Sequence, residues 1–182
     1  DSVASRGLGD VYKRQATAIA SLANATGSNA TAIGLLASAS NVDSLAFGVR
    51  ANASGTSALA LGTNATSSGT SSTAIATNAS ASGTDSLAVG VFSQASNQSS
   101  IAIGTNTLSN AVNSLAISSG ARALAANTAS IGVNSSASAS NAQAFGVNAS
   151  ASGVNSVAIA VSANATGNNA MAIGLLSTAT GV

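Results

Sequence analysis

The chain contains no cysteine, no proline, no histidine and no tryptophan, and only 5% of its 182 residues are charged. Without cysteine it has neither a disulfide framework nor a zinc site built on thiolates. Without histidine as well, the Ser–His and Cys–His pairs of nucleophilic catalysis are excluded. The net charge of +1 is too small to neutralise many phosphates, so we expect no nucleic-acid partner. No apolar run approaches the ~18 residues that span a membrane.

The dominant feature that is present is a fourteen-residue repeat without insertions or deletions. We define position 0 as the large apolar residue that recurs at this interval, and we number the other positions of each unit from it. Position −1 is alanine in eleven of twelve units, and position +1 is glycine in eight. The residues at position 0 are Ile19, Ile33, Phe47, Leu61, Ile75, Val89, Ile103, Ile117, Ile131, Phe145, Ile159 and Ile173.

Each unit has the pattern of two short alternating strands separated by two turns. Glycine at +1 suits a turn with positive φ. The second turn runs from a frequent glycine at +8 to an Asx residue at −4, whose side chain can bond its own backbone. Alternation and regular glycines oppose a helix. The repeat therefore predicts an all-β fold, a parallel β-solenoid with fourteen-residue coils, two short strands per coil and about twelve coils. At ~4.8 Å per step, such a rod is roughly 53 Å long.

The two faces of the first strand are predicted to have different environments. Positions −1 and −3, together with +4 and +6, carry small side chains that suit a thin interior. Positions 0 and −2 then point outward and form an apolar stripe larger than the few hundred Å² that soluble monomers expose. The alternative, with the position 0 row inside, needs a wider coil than fourteen residues enclose. We therefore predict an obligate homo-oligomer with the interface residues Ile19, Ile33, Leu45, Phe47, Leu59, Leu61, Ile75, Leu87, Val89, Ile101, Ile103, Leu115, Ile117, Ile131, Phe145, Val157, Ile159, Met171 and Ile173.

Units such as NSVAIA (155–160) and QSSIAIG (98–104) resemble the head repeats of YadA-like trimeric autotransporter adhesins, over about residues 16–182. The resemblance implies a left-handed parallel β-roll, a homotrimer and a role in cell adhesion and virulence. It also implies display on the cell surface of a Gram-negative bacterium, held in the outer membrane by a stalk and anchor outside this sequence. Possible partners are then an extracellular matrix protein, host cells or an abiotic surface. Three-fold symmetry follows from the resemblance alone.

Two parts of the chain depart from the repeat. Residues 1–15 hold five of the nine charged residues, and the segment LGDVYKRQ (8–15) resembles a translated sequencing adapter. We interpret residues 1–15 as a non-native leader or artefact, and residues 16–182 as a fragment of the head β-roll. Between Ser118 and Ser130 the unit is blurred by Gly120, Arg122 and Leu124, so we expect an irregular coil or a bulge there.

No catalytic, cofactor or metal site is predicted, and we expect no enzyme. Asp43 and Asp85 share the −4 turn position three units apart, about 14 Å along the rod, which is too far for a glycosidase carboxylate pair. Large or charged residues interrupt the polar +3 and +5 positions, which we expect on the solvent face of the second strand. They are either ligand contacts or, in the interpretation that we favour, scattered surface residues or subunit contacts: Leu22, Leu36, Arg50, Phe92, Leu108, Arg122 and Leu176.

Three functions remain open from the sequence. An adhesin head would use a rigid polar rod to make many equivalent weak contacts. A structural spacer or a segment of a viral or phage fibre would use the same rod to hold something else at a distance. An ice-binding solenoid needs flat ranks of threonine, and position +2 has only Thr63, Thr77 and Thr105 among valine, leucine and serine.

Overall fold

The structure is a computed structural model that describes residues 15–181. Each strand pairs in parallel with the strand that lies fourteen residues further along the chain. The first sheet has twelve parallel strands, Thr17–Ile19, Thr31–Ile33, Leu45–Phe47, Leu59–Leu61, Thr73–Ile75, Leu87–Val89, Ile101–Ile103, Leu115–Ile117, Ala129–Ile131, Gln143–Phe145, Val157–Ile159 and Met171–Ile173. The second sheet also has twelve, Asn24–Ala25, Ser38–Ala39, Asn52–Ala53, Thr66–Ser67, Ser80–Ala81, Gln94–Ala95, Leu108–Ser109, Arg122–Ala123, Ser136–Ala137, Ser150–Ala151, Asn164–Ala165 and Thr178–Ala179. The predicted parallel β-solenoid of two short strands per coil is confirmed.

The interior between the two sheets is as thin as the small residues predicted. Every buried hydrophobic residue of the described chain is alanine, at positions −3, −1, +4 and +6. Every buried polar residue is serine or threonine. The alternative arrangement, with the position 0 row inside and alanine outside, is therefore wrong. Because burying a methyl group removes little apolar area from water, this interior supplies little energy per residue and the backbone has to supply more.

Backbone hydrogen bonds continue through the turns as well as the strands. In one coil the Gly48 amide donates to the Ile33 carbonyl at 2.8 Å, and the Arg50 amide donates to the Leu35 carbonyl at 2.8 Å. On the other side of the coil the Asp43 amide donates to the Ser28 carbonyl at 2.8 Å. Because neighbouring coils are bonded at strands and turns alike, a register shift in one coil would break bonds around its whole circumference.

Hydroxyl groups inside the rod mostly donate to turn carbonyls, as Ser93 does to Gly90 at 2.8 Å, and some of them also bond each other. The Ser67 and Ser72 hydroxyls are 2.6 Å apart, and Ser109 and Ser114 repeat this pair at 2.6 Å in a later coil. A second member of each pair also donates to a turn carbonyl, as Ser72 does to Gly69 at 2.7 Å. A serine at +6 is thus matched by a serine at the following −3. Ser86 and Ser156 are the buried side chains of the described residues that have no hydrogen-bond partner.

Three positions in each coil have positive φ and turn the chain between the sheets. At +1 the glycines have φ between 121° and 139°, and the four other residues there have φ between 99° and 113°. At +3 and −4 every non-glycine residue has φ between 53° and 59°. Position +3 therefore lies in the turn before the second-sheet strand, and the expectation that it lies on that strand is wrong. Position +5 does lie there, with its side chain outward.

The asparagine side chains at −4 form hydrogen bonds between coils rather than to their own backbone. The Asn113 amide donates to Asn127 Oδ1 at 3.2 Å, and Asn127 donates in the same way to Asn141 at 3.2 Å. The series continues through Asn155 to Asn169 with distances of 2.9 and 3.0 Å. Stacking puts equivalent side chains one strand spacing apart, and this brings each amide within reach of the next. The expected bond to the residue's own backbone is replaced by this asparagine ladder.

The coil between Ser118 and Ser130 is regular, so the predicted bulge is wrong. Arg122 pairs in register with Leu108 on one side and with Ser136 on the other. Ser118 adopts φ 99° and Gly120 adopts φ 70°, which reproduces the turn of the other coils. Ser130 fits the interior because its hydroxyl lies 2.7 Å from that of Ser135. Residues 1–15, which we interpret as a leader or artefact, lie outside the described part of the chain except for Gln15.

Replacing Gly48 with alanine is expected to destabilise the rod. Its φ is +133°, and an added Cβ would lie 2.6 Å from the Gly62 carbonyl oxygen. Backbone strain of this kind costs about 1–3 kcal/mol, and the clash adds to it. We expect the urea midpoint of Gly48→Ala, followed by far-UV circular dichroism, to fall. Ala76→Gly is the matched control, because it removes a Cβ at the same position with φ 105°. Its midpoint should stay unchanged or rise, and an equal fall in both variants would contradict the strain argument.

The asparagine ladder gives a second prediction at Asn141, which both accepts and donates in it. Asn141→Ala loses both ladder bonds and places at φ 59° a residue that tolerates the left-handed region less well than asparagine does. We expect a loss of about 1–2 kcal/mol in the free energy of unfolding. Asn141→Gly loses the same bonds but suits the positive φ, so it should lose less. Equal losses would mean that the ladder, and not the backbone conformation, accounts for the effect.

Candidate interaction surfaces

All nineteen predicted interface residues lie on the outer face of the first sheet, and none is inside the coil. Each side chain stacks on its equivalents in the neighbouring coils, as Phe47 does between Ile33 and Leu61. The neighbouring side chains cover it along the rod axis, and its outward side faces solvent. Exposure is greatest in the terminal coils, where one neighbour is missing. Six are exposed, Ile19, Leu61, Ile131, Ile159, Met171 and Ile173. The other thirteen are half-buried, Ile33, Leu45, Phe47, Leu59, Ile75, Leu87, Val89, Ile101, Ile103, Leu115, Ile117, Phe145 and Val157.

The apolar surface is wider than the predicted interface. Position +2, one residue beyond the +1 turn, is rich in valine and leucine that are 38% exposed or more. Position −5, on the opposite edge of the first sheet, adds three exposed valines. The sequence shows the apolar residues at +2, but whether they belong to the same surface as position 0 depends on the turn that places them beside it. They are Leu35, Val49, Val91, Val133, Val147, Val161 and Leu175 at +2, and Val42, Val112 and Val154 at −5.

The outer face of the second sheet has the opposite character. Its strands expose position +5, which is asparagine, serine or threonine in nine of twelve coils. The three exceptions are Gln94, Leu108 and Arg122, and they are consecutive in the strand ladder. The rod therefore has one apolar side and one polar side, and the polar side is interrupted at a single place.

A groove of about 520 Å³ lies at that interruption. Phe92, Leu108 and Arg122 form its apolar and charged walls. Gly120 has no side chain in the +3 row, and the side chain of Asn134 from the next coil reaches over it. These three wall residues are outliers in the sequence pattern, but the sequence does not group them, because they are separated by fourteen or more residues in the chain. The remaining lining residues are Gln94, Asn106, Thr107 and Asn134.

Among residues 15–181, no three histidine, cysteine, aspartate or glutamate side chains are grouped so as to hold a metal ion. Asp43 and Asp85 lie at equivalent turn positions three coils apart and do not form a carboxylate pair. In the same part of the chain no helix is long and apolar enough to cross a membrane.

Comparisons with known proteins agree with this geometry. The family model for the YadA head domain repeat matches residues 15–37, 25–51, 53–75, 77–93, 81–107, 95–117, 137–159 and 162–182. A solved structure titled as the collagen-binding domain of the Yersinia adhesin YadA matches with a TM-score of 0.54 and 25% sequence identity, covering 87% of this chain and 80% of that one. A search of curated proteins gave no match. With most of its coils matched by the repeat model, the chain belongs to the YadA head domain repeat family.

Proposed function

We propose that this chain is the head of a surface-displayed, homotrimeric adhesin that attaches a Gram-negative bacterium to host matrix, cells or abiotic surfaces. Family membership supports an adhesin-like role, and the matching YadA domain is titled as collagen-binding. A matrix protein such as collagen is therefore the partner we propose first. The observation that carries the proposal is the two-sided rod, with one apolar face along its whole length and one polar face.

The apolar face supports assembly on energetic grounds. Completing the burial of each half-covered side chain stabilises the assembly by on the order of 1 kcal/mol. Nineteen such side chains, with the valines and leucines at +2 and −5, exceed the ~4–15 kcal/mol lost in association. Self-association of equal rods covers this face along its full length, since the partner carries the same fourteen-residue spacing.

The two edges of the face support a closed ring. Position +2 follows the first-sheet strand and position −5 precedes it, so each lies at a different edge of the apolar face. When the face points to a shared axis, the +2 edge of one chain meets the −5 edge of the next. Such head-to-tail contacts close into rings when the rotation permits. Three as the number of chains comes from the family.

The polar face supports adhesion by many weak contacts. Position +5 is asparagine, serine or threonine in nine of twelve coils, so that a trimer presents three rows of similar hydrogen-bonding groups. Linked weak contacts reach an avidity ~10²–10⁴ above a single one. A spacer would use the same rod without this binding. The ice-binding alternative has only three threonines in the exposed +2 row, which is otherwise mainly apolar.

Assembly is tested by Ile103→Ser combined with Ile117→Ser, two central residues of the apolar face. We expect the parent chain to have about three times its 17.0 kDa mass in light scattering, and the double variant to be monomeric or to dissociate at higher concentration. Leu108→Ser with Leu124→Ser is the control, since it removes two large apolar side chains away from that face. A parent chain that is a stable monomer would exclude the interface.

Adhesion is tested on surfaces coated with collagen, with albumin, or left as bare polystyrene. We expect the parent chain to be retained on collagen or polystyrene with an apparent affinity at least ~100-fold above that of the monomeric double variant. Retention is measured by surface plasmon resonance for collagen and by immunodetection for polystyrene. Equal retention of trimer and monomer would remove the avidity argument. A folded trimer retained on none of the surfaces would favour the spacer.

A further inference from the structure

The groove on the second-sheet face lies where the repeat breaks its own pattern. Position +5 departs from asparagine, serine and threonine only at Gln94, Leu108 and Arg122, in three successive coils. In the same coils the +3 row carries Phe92, Asn106 and Gly120, and the Asn134 side chain reaches over Gly120. The matches to the family repeat also omit residues 118–136, which contain Gly120 and Arg122. Because the +5 row is asparagine, serine or threonine in every other described coil, three consecutive exceptions in it mark the groove as a candidate site.

Each exception contributes a different kind of contact. Phe92 is 52% exposed, and the half-buried Leu108 offers its open side to the groove between Gln94 and Arg122. Arg122 is exposed, and the acids of residues 15–181 are Asp43 and Asp85. Asp85 precedes Arg122 by more than two coils, ~10 Å along the rod, so neither carboxylate neutralises this guanidinium. The groove thus combines an apolar wall with a cation that has no acidic partner in the described chain.

We propose that this groove binds an extended peptide segment of a partner protein that carries a carboxylate side chain next to an apolar one. The guanidinium pairs with the carboxylate through two parallel hydrogen bonds, a geometry that arginine favours. Phe92 and Leu108 cover the apolar side chain. The amides of Gln94 and Asn106 meet the peptide backbone, which has a donor and an acceptor at each residue.

The dimensions of the groove suit a peptide better than a sugar. Gln94, Leu108 and Arg122 stand in register at steps of ~4.8 Å, so the row spans about 10 Å, or three residues of an extended chain. A sugar of that size would place hydroxyl groups against Leu108, which offers them no hydrogen bond. The second sheet lies on the opposite side of the coil from the apolar face, so the groove stays open in the assembly proposed above.

This inference rests on the proposed adhesin function, because it assigns one specific contact on the face that we propose for adhesion. The probe is an array of fluorescein-labelled pentapeptides of the pattern S-Φ-E-Φ-S, where Φ is leucine, isoleucine, valine, phenylalanine or tyrosine. Each has a counterpart with glutamine in place of glutamate. Binding to the full chain is measured by fluorescence anisotropy at low salt.

Arg122→Ser and Leu108→Ser test the two walls of the groove. Serine occupies the same position at Ser136 and Ser150, so both variants should keep the fold, which urea midpoints verify. We expect each to weaken binding of the best glutamate peptide by about 5–10-fold. Arg50→Asn is the control, since it removes an equal charge at +3, where asparagine is common, and should change binding less than twofold.

The decisive comparison measures the binding of the glutamate and glutamine peptides to both the parent chain and Arg122→Ser. The parent chain should prefer glutamate over glutamine by about 5–10-fold, and Arg122→Ser should lose this preference. An equal preference in both proteins, or no binding of any array peptide, would overturn the proposal. So would stronger binding of a sialylated trisaccharide than of any peptide. If the parent chain is not retained on collagen or polystyrene but Arg122→Ser still removes the glutamate preference, only the adhesion proposal is refuted. If the parent chain is retained on these surfaces but binds no peptide, only the groove proposal is refuted.

Discussion

The width of the coil interior constrains everything else in this molecule. Two sheets separated by alanine, serine and threonine leave no room for a large side chain, so the hydrophobic energy available inside one coil is small. The backbone compensates by hydrogen bonding between coils at strands and turns alike. Stability of this kind is additive over neighbouring coils, as in other solenoids, and it depends on an unbroken register.

The same constraint explains the turns and the outer faces. A coil of fourteen residues closes only because three positions adopt positive φ, including +3, where Leu36, Arg50 and Phe92 do so without being glycine. Strain at these positions is tolerated because the bonds to the coils on either side hold them. Large apolar residues excluded from the interior collect on the outer side of the first sheet. The apolar face that suits self-association thus follows from the thinness of the interior.

Much of the fold could be predicted because its signal is local and repeated. The interval between Ile33 and Phe47 gave the coil length, and the alanines at −1 gave the buried face. The predicted bulge near Arg122 failed for a physical reason: neighbouring coils bond a variant coil around its whole circumference, and Ser118 and Gly120 still reach the required positive φ. The asparagine ladder was missed because its bonds join residues fourteen positions apart.

The sequence by itself determined the period, the strand class, the small interior and the outward position of the Ile, Leu and Phe rows, since each depends on side-chain size at a fixed spacing. Only the tertiary structure decided which rows become neighbours across a turn or along the rod. It brought position +2 beside position 0, and it assembled Phe92, Leu108 and Arg122 from three coils into one groove. Stacking at ~4.8 Å converts residues far apart in the chain into adjacent ones, and a pattern within one unit does not contain that information.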